Sequence, residues 1–150
     1  MGTFELVVLQ GDIPEGDEAT FNEYARKFIE EAKKSGTRPV LFMGWAYERL
    51  NWISQREIAQ AHKILALETG TAVAPVGLAW SRVMAEHPAL NLFAPDKEHP
   101  SASGSYLAAC VVYATVMGQS PEGVMARDNT IGIESANYLE QVAWQVVQAY

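Results

Sequence analysis

The chain has little positive charge and almost no cysteine. Its 150 residues include 11 lysines and arginines against 18 aspartates and glutamates, so the formal net charge is −7 and the isoelectric point is about 4.9. Without a basic surplus there are few side chains to neutralise a phosphate backbone, which excludes a nucleic-acid partner. The single cysteine, Cys110, excludes an intrachain disulfide, and its apolar neighbours predict a buried thiol.

Long hydrophobic runs and cofactor motifs are also missing. No stretch approaches the length that spans a bilayer, and the N-terminus has no basic region followed by an apolar one, so we expect neither a membrane partner nor an export signal. The three histidines lack metal-ligand spacing, and His62 is predicted to lie on a helix surface. With no P-loop and no dinucleotide fingerprint, we expect no cofactor and no metal.

The segments that are present alternate between strand and helix character. Two helices open with capping-box pairs, Thr20 with Glu23 and Ser54 with Glu57. Continuous apolar strands between amphipathic helices predict an α/β fold, one domain over 1–150, with a parallel sheet covered on both faces. The predicted strands are 4–9, 39–43 and 72–76, and the predicted helices are 20–35, 54–70, 77–86, 106–117 and 134–148.

A carboxylate and an imidazole stand three residues apart, at Asp96 and His99, in a polar loop before an apolar helix. A carboxylate that holds one ring nitrogen lets the other nitrogen take a proton from a hydroxyl group or water. The alternative is an Asx-type turn, in which Asp96 bonds local amides and His99 is only partly exposed. The spacing leaves both interpretations open.

The residues that follow Asp96 and His99 form a longer motif. They read Asp96-x-x-His99-Pro100-Ser101, then Gly104-x-Tyr106-Leu107-Ala108-Ala109-Cys110. This block resembles the last conserved block of the SGNH (GDSL-type) hydrolases, and segments 4–9, 39–46 and 74–80 resemble the third to fifth strands of that family. The resemblance implies a three-layer, flavodoxin-like sheet that lacks its first strands, and it implies that Asp96 and His99 are the triad partners of a serine esterase.

The chain departs from that family at the nucleophile. None of its eight serines follows a strand in a tight Gly-rich turn, and the family's second block is absent. Gln10-Gly11-Asp12 stands where the third block has Gly-x-Asn-Asp. Gln10 therefore either offers an amide to an oxyanion or belongs to a plain strand-end turn.

Aromatic residues follow two of the predicted strands. Trp45 and Tyr47 come after the second strand and Trp80 after the third, at the strand ends where ligands bind in α/β folds. They either pack in the core or form a stacking wall for a sugar or acyl group. The predicted site residues are thus Asp96 and His99 as catalytic groups, with Gln10, Trp45, Tyr47 and Trp80 for substrate.

The leading interpretation is an ester hydrolase whose substrate is a small ester, such as an O-acetylated carbohydrate. The alternatives are a non-catalytic binding or assembly module and the truncated product of a longer hydrolase. If the first strands are missing, the strand Phe4–Leu9 becomes an apolar edge, which is a pairing site. We therefore expect either a homodimer that pairs through this edge or docking on a separate N-terminal segment.

Overall fold

The computed structural model describes residues 4–124 and 130–150. These residues form an α/β fold, as predicted from the sequence. The elements, in chain order, are β1 (Leu6–Gln10), α1 (Glu18–Lys34), β2 (Arg38–Phe42), α2 (Gln55–Thr69), β3 (Ala72–Ala74), α3 (Val76–Glu86), α4 (Ala102–Met117) and α5 (Ile133–Ala149).

The three described strands form a parallel sheet in the order β1-β2-β3. Val8 of β1 lies opposite Val40 of β2, and Val40 in turn lies opposite Ala72 of β3. The third strand ends at Ala74, because Pro75 has no N–H to donate and instead precedes α3 as its N-cap. In this order β1 lies at one edge of the sheet.

Two apolar clusters cover the two faces of the sheet and confirm the three-layer architecture. Helices α1 and α2 pack on one face, where Leu41, Met43 and Val73 contact Ile29 and Leu65. Helices α3, α4 and α5 cover the other face; the buried side chains there include Val40, Ala74, Trp80, Leu107, Cys110, Leu139 and Val142. Cys110 is therefore buried, as its apolar neighbours predict.

The N-caps of α1 and α2 set where these two helices begin. The predicted N-cap Thr20 is wrong, because Asp17 caps α1 and accepts hydrogen bonds from the Thr20 amide at 2.8 Å and hydroxyl at 2.7 Å. A carboxylate accepts both bonds at once, so α1 begins two residues earlier. The Ser54–Glu57 capping box of α2 is present as predicted. None of the described helices is long and apolar enough to cross a bilayer.

His62 is buried, which corrects the prediction that it lies on a helix surface. Its side chain is 1% exposed, its ring lies 4.7 Å from that of Phe21, and its Nδ1 is 2.8 Å from the carbonyl oxygen of Ile58. Burial lowers the pKa of His62, because a charged ring would lose its hydration. The helix α1 packs beside α2 and covers this position.

Two glycines let backbone segments approach closely near the carboxyl ends of the strands. A Cβ atom at Gly77 would lie 2.1 Å from the carbonyl oxygen of Gly44. A Cβ atom at Gly104 would lie 2.3 Å from the Leu92 carbonyl oxygen and 2.5 Å from the Trp80 ring. The start of α4 is thus pressed against Trp80 and against the segment that leads into the Asp96–His99 loop.

Replacing Gly104 with alanine tests this close packing. In an unconstrained helix, Gly→Ala stabilises by up to ~1 kcal/mol. At Gly104 we expect the opposite sign, a loss of about 1–3 kcal/mol in the free energy of unfolding, because the new methyl group overlaps Trp80. Denaturant unfolding measures the change, with Ser105→Ala on the exposed side of the same helix as the control. A more stable Gly104→Ala protein would contradict the packing described here.

Candidate functional site

The site lies in the tight loop between α3 and α4. The loop closes where the Ala94 amide donates to the His99 carbonyl oxygen at 2.8 Å and the Lys97 amide donates to the Ala94 carbonyl oxygen at 3.0 Å. Lys97 at its tip has a φ of 60°, which a side chain with a Cβ rarely adopts. Such a backbone persists only where surrounding bonds hold it.

Asp96 supplies those bonds and orients His99 at the same time. Its Oδ1 accepts hydrogen bonds from the amides of Glu98 at 3.1 Å and His99 at 3.0 Å, and its Oδ2 lies 2.7 Å from His99 Nδ1. The turn around Asp96 and the contact between Asp96 and the His99 ring are therefore both present, one on each carboxylate oxygen. No hydrogen bond joins Nε2 to a described residue, and the His99 side chain is 70% exposed.

The close pair shifts both pKa values in the directions expected of opposite charges. The hydrogen bond from the His99 ring, followed by those from the two amides, lowers the pKa of Asp96. The same hydrogen bond, followed by the attraction of the carboxylate, raises the pKa of His99 above its ordinary value of 6.5. Asp96 thus stays ionised near neutral pH and favours the protonated form of the ring.

The loop is held against the segment that follows β2 through Glu98. The Trp45 indole N–H donates to the Glu98 backbone carbonyl oxygen at 2.9 Å, and Arg49 Nε donates to the Glu98 carboxylate at 2.6 Å. The Arg49 amide also donates to the Lys97 carbonyl oxygen at 3.3 Å. Arg49 further pairs with Glu15 in the loop after β1, so one guanidinium connects the β1 and Asp96–His99 loops.

The aromatic candidates separate into one buried and two partly exposed side chains. Trp80 is 1% exposed, and it stacks on Trp45 with ring centroids 4.0 Å apart and an interplanar angle of 12°. Trp80 therefore lies in the core and not in a stacking wall for a ligand, and its ring packs against one face of the Trp45 ring. Trp45 is half-buried, and its indole N–H points to the loop.

Tyr47, which follows β2, reaches the loop after β1, and Gln10 is the last residue of β1. The Tyr47 hydroxyl donates to Asp12 Oδ1 at 3.1 Å, and burial together with that carboxylate raises the pKa of Tyr47 to about 12. The phenol is therefore protonated and holds the loop after β1. Gln10 is exposed at the carboxyl end of β1, beside Gly11 and Asp12 in a surface groove.

Ser101, the serine nearest to His99 along the chain, already has a structural role as a helix cap. The Ser101 hydroxyl donates to the Asn91 carbonyl oxygen at 2.8 Å and accepts from the Gly104 amide at 3.2 Å, which makes it the N-cap of α4. Within residues 4–124 and 130–150, no hydroxyl group is hydrogen-bonded to His99. Nor do these residues contain a cluster of three or more His, Cys, Asp or Glu that could hold a metal ion.

Two residues that hold the site were not identified as such from the sequence. Arg49 lies in the loop after β2, and nothing in the sequence indicates where its side chain points. Glu98 stands between the two candidate catalytic residues, and only the fold shows that Arg49 binds it. This contact joins residues that are 49 positions apart in the chain, so no local pattern signals it.

Comparison with known proteins identifies the class of fold. No family model and no curated protein matches the chain. A DUF4886 family protein from Bacteroides uniformis ATCC 8492 has the same fold, with a TM-score of 0.80 at 15% identity over 98% of this chain and 63% of that protein. A second structure, described as "a putative SGNH hydrolase" from Slackia heliotrinireducens, has a TM-score of 0.63 at 27% identity over 75% of this chain and 65% of that one.

The fold is therefore that of the SGNH hydrolases, as the sequence resemblance implied. The chain spans less than two thirds of the length of either structural neighbour. The neighbours thus define a hydrolase-like architecture and no particular activity or substrate.

The coupling of Asp96 to His99 predicts a shift in the titration of the ring. In Asp96→Asn the acceptor keeps its size but loses its charge, so we expect the pKa of His99 to fall towards the ordinary 6.5. A pH titration of the ring signals by NMR measures this. The matched control is Asp12→Asn, because Asp12 makes no hydrogen bond to His99 and its loss leaves the His99 pKa in place. An unchanged pKa in Asp96→Asn would refute the pairing.

The bonds from Arg49 predict that this residue holds the loop still. In Arg49→Met the side-chain bonds to Glu98 and Glu15 are lost, and we expect faster amide hydrogen exchange at Glu98 and His99. Arg82→Met is the control, since Arg82 pairs with Glu86 on a different part of the surface. Equal exchange rates in wild type and Arg49→Met would show that the hydrogen bonds within the loop are enough to keep it ordered.

Proposed function

We propose that the chain acts in ester hydrolysis, with Asp96 orienting His99 as the general base. The observation that carries this is the 2.7 Å contact between His99 Nδ1 and Asp96 Oδ2, on a ring whose other nitrogen is open to solvent among the described residues. A ring held by a carboxylate at Nδ1 presents Nε2 as an acceptor. The SGNH-like fold supports the same reaction class.

The reaction follows from where the proton moves. His99 Nε2 takes a proton from a water molecule or a hydroxyl group while the oxygen of that water or hydroxyl attacks the ester carbonyl carbon. The Asp96 carboxylate stabilises the imidazolium that forms. The imidazolium then returns the proton to the departing alkoxide as the carbon–oxygen bond breaks. Because no hydroxyl of the described residues bonds to His99, the nucleophile is water or a hydroxyl group from a further polypeptide segment.

We assign substrate contacts to three residues at the carboxyl ends of β1 and β2. The exposed amide of Gln10 is a candidate donor to the oxyanion, and the partly exposed rings of Trp45 and Tyr47 are candidates to contact the acyl or sugar group. Trp80 supports Trp45 through the stack and has no surface to offer a ligand. The substrate class we propose is a small acetyl ester, which includes O-acetylated carbohydrates.

Hydrolysis of p-nitrophenyl acetate tests the proposal. We expect His99→Ala to lower the rate above the buffer background roughly 10²-fold, the low end of what a positioned base contributes. The control is His87→Ala, which removes an exposed imidazole away from the loop and corrects for the intrinsic reactivity of histidine towards this ester. The rate should rise with pH through a value above 6.5, because the base works only when neutral and Asp96 raises its pKa. Equal rates in wild type and His99→Ala would remove the hydrolase proposal.

The second candidate is a binding module that keeps the fold without turnover. The lack of a described hydroxyl at His99 favours it, because losing one triad member leaves binding and lowers the rate by orders of magnitude. It predicts that an acetylated sugar quenches or shifts the fluorescence of Trp45, measured against Trp45→Phe, while p-nitrophenyl acetate is not hydrolysed.

A further inference from the structure

A titratable ring is buried where α1 packs against α2. His62 of α2 is 1% exposed, and its ring centroid lies 4.7 Å from that of Phe21 on α1. Its Nδ1 lies 2.8 Å from the Ile58 carbonyl oxygen, which can only accept, so in the neutral ring Nδ1 carries the hydrogen. The other nitrogen, Nε2, is buried and makes no hydrogen bond to a described residue.

Protonation of His62 puts a second N–H group and a positive charge into this interface. The carbonyl oxygens of Ile58 and Phe42 favour the charged ring, but the loss of hydration outweighs them and lowers the pKa of His62 from 6.5. A buried N–H group without an acceptor and a buried charge without a counter-charge both destabilise the packed state. The closed interface therefore fits the neutral ring, and a protonated ring favours an interface that water can enter.

No buried carboxylate of the neighbouring elements compensates this charge. Helix α2 packs beside α1, α3 and β3. Besides His62, the titratable side chains of the three strands, of α1 to α3 and of the loop after β1 are exposed, except Arg26 and Arg82. These two are half-buried cations, and they pair with Glu68 and Glu86. An imidazolium at this position thus has carbonyl groups as neighbours but no buried anion.

The ring of Phe21 connects His62 to the loop after β1. Phe21 is 8% exposed, and a Cβ atom at Gly11 would lie 2.5 Å from its ring, so this ring contacts both His62 and the backbone of the loop. Ile13 of the same loop is 3% exposed and belongs to the same apolar cluster. The position of one aromatic ring therefore holds α1 and this loop together against α2.

We propose that His62 is an acid-sensitive switch that holds α1 and the loop after β1 in place while it is neutral. When the ring takes up a proton from solvent, Phe21 leaves the interface, and α1 separates from α2 together with the loop. Gln10 and Asp12 flank Gly11 in the chain, so mild acid also releases this side of the candidate site. The inference rests on packing and does not depend on the activity proposed above.

Amide hydrogen exchange of the full chain at about pH 7.5 and about pH 5.5 tests the switch. Below pH 6.5 the open form binds one more proton than the closed form, so stability of the closed form falls as the pH falls. We expect the protection factors of the Ala25 and Gly16 amides, corrected for intrinsic exchange, to fall by up to roughly tenfold per pH unit. The Leu107 amide should keep its protection, because α4 covers the other face of the sheet.

Other titrating groups do not produce this response in the chosen pH range. Hydrogen bonds at the helix caps lower the pKa of Asp17 and of Glu57, so both carboxylates stay ionised. The hydrogen bond to Asp96 raises the pKa of His99, so protonation of that ring favours the closed form and acts in the opposite direction.

Two variants separate His62 from the other histidines. His62→Phe keeps a ring against Phe21 without a titratable nitrogen, so the protection of α1 should be the same at both pH values. His87→Gln, which removes an exposed imidazole, should respond like the wild type. The proposal is overturned if wild-type protection at Ala25 does not fall, if the fall persists in His62→Phe, or if Leu107 loses protection equally.

A titration of the wild-type ring signals by NMR tests the switch without any variant. We expect His62 to remain neutral, with the hydrogen on Nδ1, down to pH values below 6.5, and to take up a proton only as the α1 amides lose protection. A ring that becomes protonated while α1 stays protected shows that the interface accepts the charge, and it overturns the proposal even if His62→Phe does not fold.

Discussion

The site depends on the carboxylate of Asp96, which binds the backbone and the imidazole at once. One oxygen accepts from two successive amides and stabilises a loop tip in which Lys97 adopts a positive φ. The other oxygen lies against Nδ1 of His99. Because the same group shapes the loop and orients the ring, the position of His99 is set by the backbone that carries it.

The rest of the molecule holds this loop in place. Trp80 is buried between the sheet and α4, and Gly104 lets α4 approach it. Trp45 stacks on Trp80 and binds the loop backbone at Glu98. A continuous path of packed rings and hydrogen bonds thus leads from the core to the exposed histidine. Arg49 adds a bond to the loop after β1, so the two loops at this end of the sheet are joined.

The candidate residues lie on different segments of the fold. Gln10, a candidate oxyanion donor, lies at the carboxyl end of the edge strand β1, whereas Asp96 and His99 lie in the loop between α3 and α4. The exposed rings of Tyr24 and Phe28 lie on α1 and line a groove together with Val8 and Leu9 of β1.

Much of the fold and the centre of the site could be predicted from the sequence. Local sequence predicts the order of strands and helices, the Ser54–Glu57 cap and the Asp96–His99 pair. In each case the residues that form the feature lie within one turn or one strand of each other. The Thr20 cap was mispredicted by a short distance, because the Asp17 carboxylate accepts from the amide and the hydroxyl of Thr20, which places Thr20 inside the first turn of the helix.

Only the tertiary structure decided the features that join distant segments. His62 is buried because α1 packs beside α2, Trp80 lies in the core because α4 covers it, and Arg49 reaches Glu98 because two loops meet at one end of the sheet. The apolar stripe of α1 is likewise visible in the sequence, but only the structure shows which of its side chains are buried against other elements. The sequence by itself determined the elements and the Asp–His pair, while packing between elements determined which side chains are buried, which hold the loop and which remain open on the surface.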